Sequence, residues 1–457
     1  MRSAARPEAS MESTQDSSSK HHAPSAASVQ PAGENEASYL QGLVETWHAT
    51  RPRGIYSVCS AHPWVLEAAM EQGLADDSPL LIEATSNQVN HLGGYTGMMP
   101  ADFRQLVEKI AAQTRFRTER IILGGDHLGP NPWRGRPVDE AMQEAVRMVT
   151  AYAEAGFTKI HLDASMTCGD EQGPLSDETI ADRAATLCAA AERACGSNKP
   201  VYVIGTEVPV PGGATESLSH LEPTRREAAA KTLAVHRRVF EEKGLGSVLP
   251  RVIALVVQPG VEFNHMDVVD YDPSQATHLT QFLKEQHGLV YEAHSTDYQR
   301  PQSYRSLVRD GFLILKVGPA LTFAMREALE ALERVEAELV SPEKRSRLAE
   351  VMEQVMLADP QNWKHHYSGD EQTEKLLRRY SYSDRVRYYW TNPQAVAAVD
   401  TLVRNLRETA MPETMLSAYL PDAYRAIRAG ELQPDPVEIV KHRIRSVLRD
   451  YADACKQ

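Results

Sequence analysis

RIILGGDHLGPNPW, residues 120–133, decides how the rest of the chain is read. Its first part, Arg120 to Gly124, is a short run rich in β-branched residues; a second glycine and the polar pair Asp126-His127 follow at once. A run of this length, closed by glycine and followed by a longer amphipathic stretch, is the repeating part of a βαβ unit. From Gly54 onward the pattern recurs in IYSV (Ile55 to Val58), LLIEA (Leu80 to Ala84), KIHLD (Lys159 to Asp163), VYVIGT (Val201 to Thr206), VIALVV (Val252 to Val257), LVYEA (Leu289 to Ala293) and FLILKV (Phe312 to Val317). Eight such strands in alternation with helices are expected to close into an α/β, TIM-type (β/α)8 barrel.

The segments between the strands carry helix-start signals: Pro100-Ala-Asp102, Ser176-Asp-Glu178 with acids in its first turn, and Asp272-Pro273. Gly156, Gly288 and Gly311 each stand between a helix and the next strand, where a left-handed cap is expected. An open doubly wound sheet is the competing fold, but no GxGxxG follows the first strand and no nucleotide loop appears. After about Ala337 the strand signal stops. Three regions follow: a polar tail over 1–38, a barrel over 39–339 and a helical extension packed on the barrel over 340–457.

Among 457 residues, 42% are hydrophobic and 24% charged, the ordinary globular range. A formal charge of -13 argues against nucleic acid as a partner, since phosphate neutralisation needs an excess of Lys and Arg. The cysteines, Cys59, Cys168, Cys188, Cys195 and Cys455, form no CxxC pair and no even framework, which fits a reducing compartment and a cytoplasmic location. No run approaches the roughly 20 apolar residues that span a bilayer, so no membrane partner is expected. The first 38 residues lack an apolar signal region and, being rich in Ser, Ala and Pro, are expected to be disordered.

In a barrel enzyme, functional side chains lie at the C-terminal ends of the strands. His127, Glu207 and His294, from the ends of strands three, five and seven, are expected to converge on a divalent metal. Two imidazoles and a carboxylate suit zinc, or manganese, cobalt or nickel, and spacing does not choose among them. Asp126 is the candidate base, with Glu207 and Lys316 as further catalytic candidates. Adjacent side chains of an extended strand point to opposite faces, so Asp126 and His127 share the cavity only if the strand is already turning; the alternative for Asp126 is a helix cap. Asp163 either orients a metal-bound imidazole or caps the next loop. Lys316, in an otherwise apolar strand, is expected to meet a carboxylate or a substrate anion. Asn87, Asp163, Gln258, Ser295, Asp297, Lys316 and Arg385 are the candidates for holding substrate. Phosphate can be met by backbone N–H groups at Gly212-Gly213 or at the Lys316-to-Gly318 step, and by Arg385 and Arg387 reaching in from the extension; the alternative for these arginines is a salt-bridged helix face.

The motifs SVCSAHP, LIEATSNQVNHLGGYTGM, RIILGGDHLGPNPW, KIHLDASM, YVIGTEVPVPGG, VVQPGVEF, VYEAHSTDYQ and ILKVGPALTF together closely resemble the GatZ/KbaZ family, the so-called non-catalytic subunits of class II D-tagatose-1,6-bisphosphate aldolase. The resemblance runs from about residue 40 almost to the C-terminus. It implies a barrel similar to class II aldolases, in which an Asp-His pair after the third strand supplies base and metal ligand. Asp126 and His127 match that pair, and His294 resembles the late histidine ligand. Gln258 stands where a further histidine ligand of the catalytic subunit would align, a departure that argues against ordinary aldolase chemistry. Members of the family are described as partners that support a catalytic aldolase subunit and, for some, as ketohexose or ketohexose-phosphate 4-epimerases. The expected function is therefore metal-dependent interconversion of D-tagatose 6-phosphate and D-fructose 6-phosphate in carbohydrate catabolism; the alternative is an accessory subunit of a class II aldolase. The expected partners are a ketohexose phosphate, an aldolase catalytic subunit and further copies of this chain.

Overall fold

The structure is a computed structural model that describes residues 36–47, 52–207, 213–214, 218 and 221–456. Eight parallel strands close on themselves: β1 (Ile55–Val58), β2 (Leu80–Thr85), β3 (Ile121–Leu128), β4 (Lys159–Leu162), β5 (Val201–Gly205), β6 (Val252–Val256), β7 (Val290–Ala293) and β8 (Phe312–Val317). β8 returns to β1 with Ser57 opposite Lys316, so the barrel expected from the sequence is formed. Strands covered on both faces tolerate continuous apolar runs, which is why these segments do not alternate cleanly. A short antiparallel hairpin, Glu262–Phe263 with Val268–Val269, follows β6.

Outside the strands lie α2 (Pro63–Asp76), α3 (Pro100–Thr114), α4 (Val138–Glu154), α5 (Asp177–Ala194), α6 (Arg226–Glu242), α7 (Pro273–Lys284) and α8 (Pro301–Arg309), preceded by α1 (Glu36–Thr46). The start signals act as expected at two of them: the Ser176 side chain accepts from the Thr179 N–H, and Asp272 accepts from Ser274. After β8 come α9 (Pro319–Leu339), α10 (Leu348–Ala358), α11 (Glu371–Tyr380), α12 (Pro393–Glu408), α13 (Glu413–Tyr419), α14 (Pro421–Arg428) and α15 (Pro436–Cys455).

Both ends of the described chain pack on the barrel. Residues 1–35 of the tail lie outside the described residues, but residues 36–38 belong to α1. Ala37, Leu40, Leu43, Val44 and Trp47 recur at helical spacing and are buried. α1 packs against β3, β5 and β6. A Cβ on Gly311, just before β8, would come within 3.1 Å of the Trp47 ring, so α1 covers the barrel end opposite the strand C-termini. At the other end, α15 lies against α2, α8, α9 and β1, and the Gly54 N–H donates to the Cys455 carbonyl at 3.0 Å. It thereby takes a place in the ring of helices between α8 and α2. The last part of the extension is a wall of the barrel, set there by the buried face Ile439, Val440, Ile444, Leu448 and Tyr451. Among the described residues no helix is long and apolar enough to cross a membrane.

Candidate functional site

The site begins with an irregularity in β3. Gly125 pairs with Ile160 but Leu128 pairs with Leu162, an advance of three residues on β3 against two on β4. One residue is therefore extra, and His127 absorbs it in the left-handed region with φ 50. The bulge lets two successive side chains, Asp126 and His127, both line the mouth cavity at the C-terminal ends of the strands. The glycines around the pair are required by close approach. A Cβ on Gly124 would sit 2.7 Å from Glu83 Cγ, and one on Gly129 would sit 1.5 Å from the Asp163 carbonyl oxygen.

Beneath the mouth the barrel interior is ionic. Lys159 Nζ lies 2.6 Å from Glu83 Oε1 and 2.6 Å from Glu292 Oε2. Lys316 pairs with Glu83 and lies 2.8 Å from Asp126 Oδ1. All five residues are buried. Taking such charges out of water costs several kcal/mol per ion unless each finds a partner, so these residues are bound to one another. Lys316 thus meets carboxylates, one of the two outcomes foreseen for it. Burial works against the charges here, but the partners prevail: Asp126, Glu83 and Glu292 keep Lys316 protonated well above its usual range. Burial likewise opposes ionisation of Asp126, yet His127, Lys316 and His161 hold its carboxyl well below the usual range.

Three imidazoles stand over this ladder. The ring centroids of His127, His161 and His294 are 4.8 to 5.2 Å apart. In each ring one nitrogen is engaged: His127 Nδ1 with Asp163 Oδ2 at 2.9 Å, His294 Nε2 with Glu292 Oε1 at 3.0 Å, and His161 Nδ1 with the His127 N–H at 3.3 Å. Among the described residues the other nitrogen of each ring has no hydrogen-bond partner, and His161 Nε2 is buried. Burial keeps His294 neutral, pushing its pKa down to about 3, whereas at His127 burial is outweighed by Asp126 and Asp163, which raise it. Ligand atoms of Asp126, His161, Glu292 and His294 lie within 4.8 Å of one another. The carboxylates Glu83, Asp126, Asp163 and Glu292 outnumber the ammonium groups Lys159 and Lys316 by two. Free imidazole nitrogens and two uncompensated negative charges suit a divalent cation.

The remaining sequence candidates divide. Ser295, Asp297, Asn87 and Lys316 line the mouth with Arg387. Asn87 donates to the Tyr388 hydroxyl at 3.3 Å, and Asp297 accepts the N–H groups of Gly318 and Ala320, which fixes the start of α9. Asp163 is fully buried, holds His127 Nδ1 and is not among the residues that line the cavity. Three further candidates are engaged away from the mouth. Glu207 is exposed and accepts from Thr224, because β5 ends at Gly205 and the chain bends away. Gln258 spends its Oε1 on the N–H groups of Gly260 and Val261. Arg385 donates to the Asn362 carbonyl and lies over Tyr388, leaving Arg387 as the arginine at the mouth. Of the Gly212-Gly213 turn, Gly213 lines the mouth and Gly212 lies outside the described residues.

A family profile described as D-tagatose-1,6-bisphosphate aldolase subunit GatZ/KbaZ-like matches residues 40–456. The chain belongs to this family. A crystal structure from Sinorhizobium meliloti 1021, named a "probable tagatose 6 phosphate kinase", is 51% identical, covers 88% of this chain and 100% of its own, and superposes with a TM-score of 0.82. A fructuronate-tagaturonate epimerase from Cohnella laeviribosi (11% identity, covering 88% of this chain and 81% of that one, TM-score 0.45) is a distant neighbour. So is a fructose-bisphosphate aldolase from Campylobacter jejuni (12%, 82% and 93%, TM-score 0.44).

For this GatZ/KbaZ-like chain the sequence reading passed over His161, Lys159 and Glu292. All three stood inside quoted strands, and a signal for them existed. Lys159 and His161 alternate along β4, with Asp163 next in step just beyond it, and a charged or imidazole side chain within an apolar barrel strand has only the interior in which to find a partner.

Proposed function

We propose that this chain is a metal-dependent ketohexose-phosphate 4-epimerase that interconverts D-tagatose 6-phosphate and D-fructose 6-phosphate by retro-aldol and aldol steps. The observation that carries the reading is the cavity-facing Asp126 beside three imidazoles, each with one nitrogen engaged by a neighbour and one without a hydrogen bond among the described residues. His127, His161 and His294 would hold the cation, oriented by Asp163 and Glu292. When bound, it would supply Lewis-acid polarisation of the substrate's C2 carbonyl. Asp126, ionised by its neighbours, takes the proton of the C4 hydroxyl. The C3–C4 bond breaks with its electron pair passing toward C2, and C4 becomes an aldehyde. The aldehyde turns, the pair returns to its other face, and the proton goes back to the new C4 hydroxyl, so configuration inverts with all atoms conserved. Direct proton exchange at C4 is poorer chemistry, because that hydrogen is not alpha to the carbonyl. Arg387, at the mouth, would meet the phosphate.

The test is to incubate the pure protein and a zinc, manganese or cobalt salt with D-tagatose 6-phosphate and to follow D-fructose 6-phosphate. Turnover without any partner protein, abolished by a chelator, is expected; no product with any of these metals would overturn the proposal. The family's description as an aldolase subunit favours a second reading, support of a catalytic aldolase chain. That reading expects no turnover alone and a rise in aldolase activity on mixing with such a chain.

A further inference from the structure

Away from the barrel mouth, α9, α10 and α11 surround a cavity of about 720 Å³ that shares no lining residue with the mouth. Leu329, Leu348, Met352, Met356, Val386 and Trp390 make its apolar wall. Two of its lining residues carry buried donors with no partner: Arg326 Nη2 and Trp390 Nε1, in side chains only 4% and 6% exposed. Arg326 is held in place by Asp384 at 3.2 Å and Glu330 at 3.4 Å, and its third nitrogen is left over. Of the other lining arginines, Arg378 is committed to Glu353, Arg379 to Glu330, Arg347 to Glu350 and Arg345 to the Val340 carbonyl. Six arginines and Lys375 line the cavity against five glutamates, an excess of two positive charges in a chain whose formal charge is -13.

Buried donors without acceptors cost free energy, and an apolar wall gains by displacing water. One kind of molecule answers both, and we propose that this cavity is a binding site for an organic anion with an apolar body, whose acid oxygens accept from Arg326 and Trp390. Two elements run from the site to the mouth: α9, whose Pro319 lines the mouth, and the short helical turn Arg385–Tyr389. Val386 faces the cavity while Arg387, one residue on, lines the barrel mouth. Trp390 also walls a second, smaller chamber whose other residues include Cys59, Gln88, Gly318 and Arg387, all of which line the mouth. A ligand in the cavity would therefore touch the 385–390 segment and protect its amides.

The probe is 1-anilinonaphthalene-8-sulfonate, titrated into the full-length protein by fluorescence, with uncharged N-phenyl-1-naphthylamine as its counterpart. One saturable site is expected, at least tenfold tighter for the sulfonate than for the neutral dye, with slower amide exchange over 385–390 on binding. Ala337→Phe fills the cavity without touching its charges, and Arg326→Gln removes the free donor; each should weaken sulfonate binding at least tenfold. If Arg326→Gln does not fold, as its circular dichroism would show, Ala337→Phe decides alone. Equal affinity for the two dyes, or wild-type binding by folded Ala337→Phe, overturns the proposal. No step of this test uses the sugar reaction, so it stands or fails apart from the epimerase reading.

Discussion

The ends of β3 and β5 look alike in sequence: each is a short apolar run, a glycine, and then an acid within two residues. In space they part. On β3 the bulge and the left-handed His127 turn both Asp126 and His127 into the mouth, where Thr85 donates to Asp126 at 3.0 Å and Asp163 holds His127. On β5 the strand stops at Gly205; Thr206 turns to Thr232 of α6 at 2.8 Å, and Glu207 is left exposed beside Thr224. An acid placed near a strand end therefore joins a barrel site only if the strand register carries it inward. Alternation alone does not supply that at the last residue or two.

The contrast can be broken by mutation, and the largest effect should come from the β3 side. Asp126→Asn keeps the size of the group and removes the base, so epimerase turnover should fall by about 10² to 10⁴-fold with metal still bound. Wild-type rates would return Asp126 to a purely structural role. Next, the ladder beneath β3 tests whether its charges depend on one another. Lys159→Met leaves Glu83 and Glu292 buried with Lys316 as their remaining cation and should lower stability by about 3–5 kcal/mol in urea unfolding. A loss under about 1 kcal/mol would mean that water reaches these carboxylates.

A smaller effect is expected one layer behind the bulge. Asp163→Ala frees His127 Nδ1 and should weaken metal affinity by about 10 to 100-fold, read by competition with a chromophoric chelator, while far-UV circular dichroism stays the same. Unchanged affinity would separate His127 from the metal. The smallest effect belongs to β5: Glu207→Gln should leave metal content, turnover and unfolding midpoint as in the wild type, because its carboxylate is exposed and meets only a threonine hydroxyl. Loss of bound metal in that variant would erase the difference between the two strand ends and restore Glu207 as a ligand.

Much of this was open to a reader of the sequence. The eight apolar runs and the helix starts at Ser176 and Asp272 needed only local chemistry, and the barrel follows from their alternation. Asp126, His127, His294 and Lys316 were visible as polar residues where a barrel places its chemistry. His161 and Lys159 were legible through the period-two rule on β4, although they stand inside the strand and not at its end. What no local rule supplied is that α1 covers the bottom of the barrel and that α15 fills the gap between α2 and α8, since both depend on contacts between segments far apart in the chain.

The sequence by itself therefore determined the number of strands, the closure they imply and the residue types gathered at one end of the barrel, because periodicity and burial act over a few residues at a time. Only the tertiary structure decided which of those residues meet. A one-residue bulge in β3, a strand that ends at Gly205 and a turn that directs Arg387 inward and Arg385 toward Asn362 are settled by packing between neighbours. A shift of one residue reverses the face on which a side chain lies.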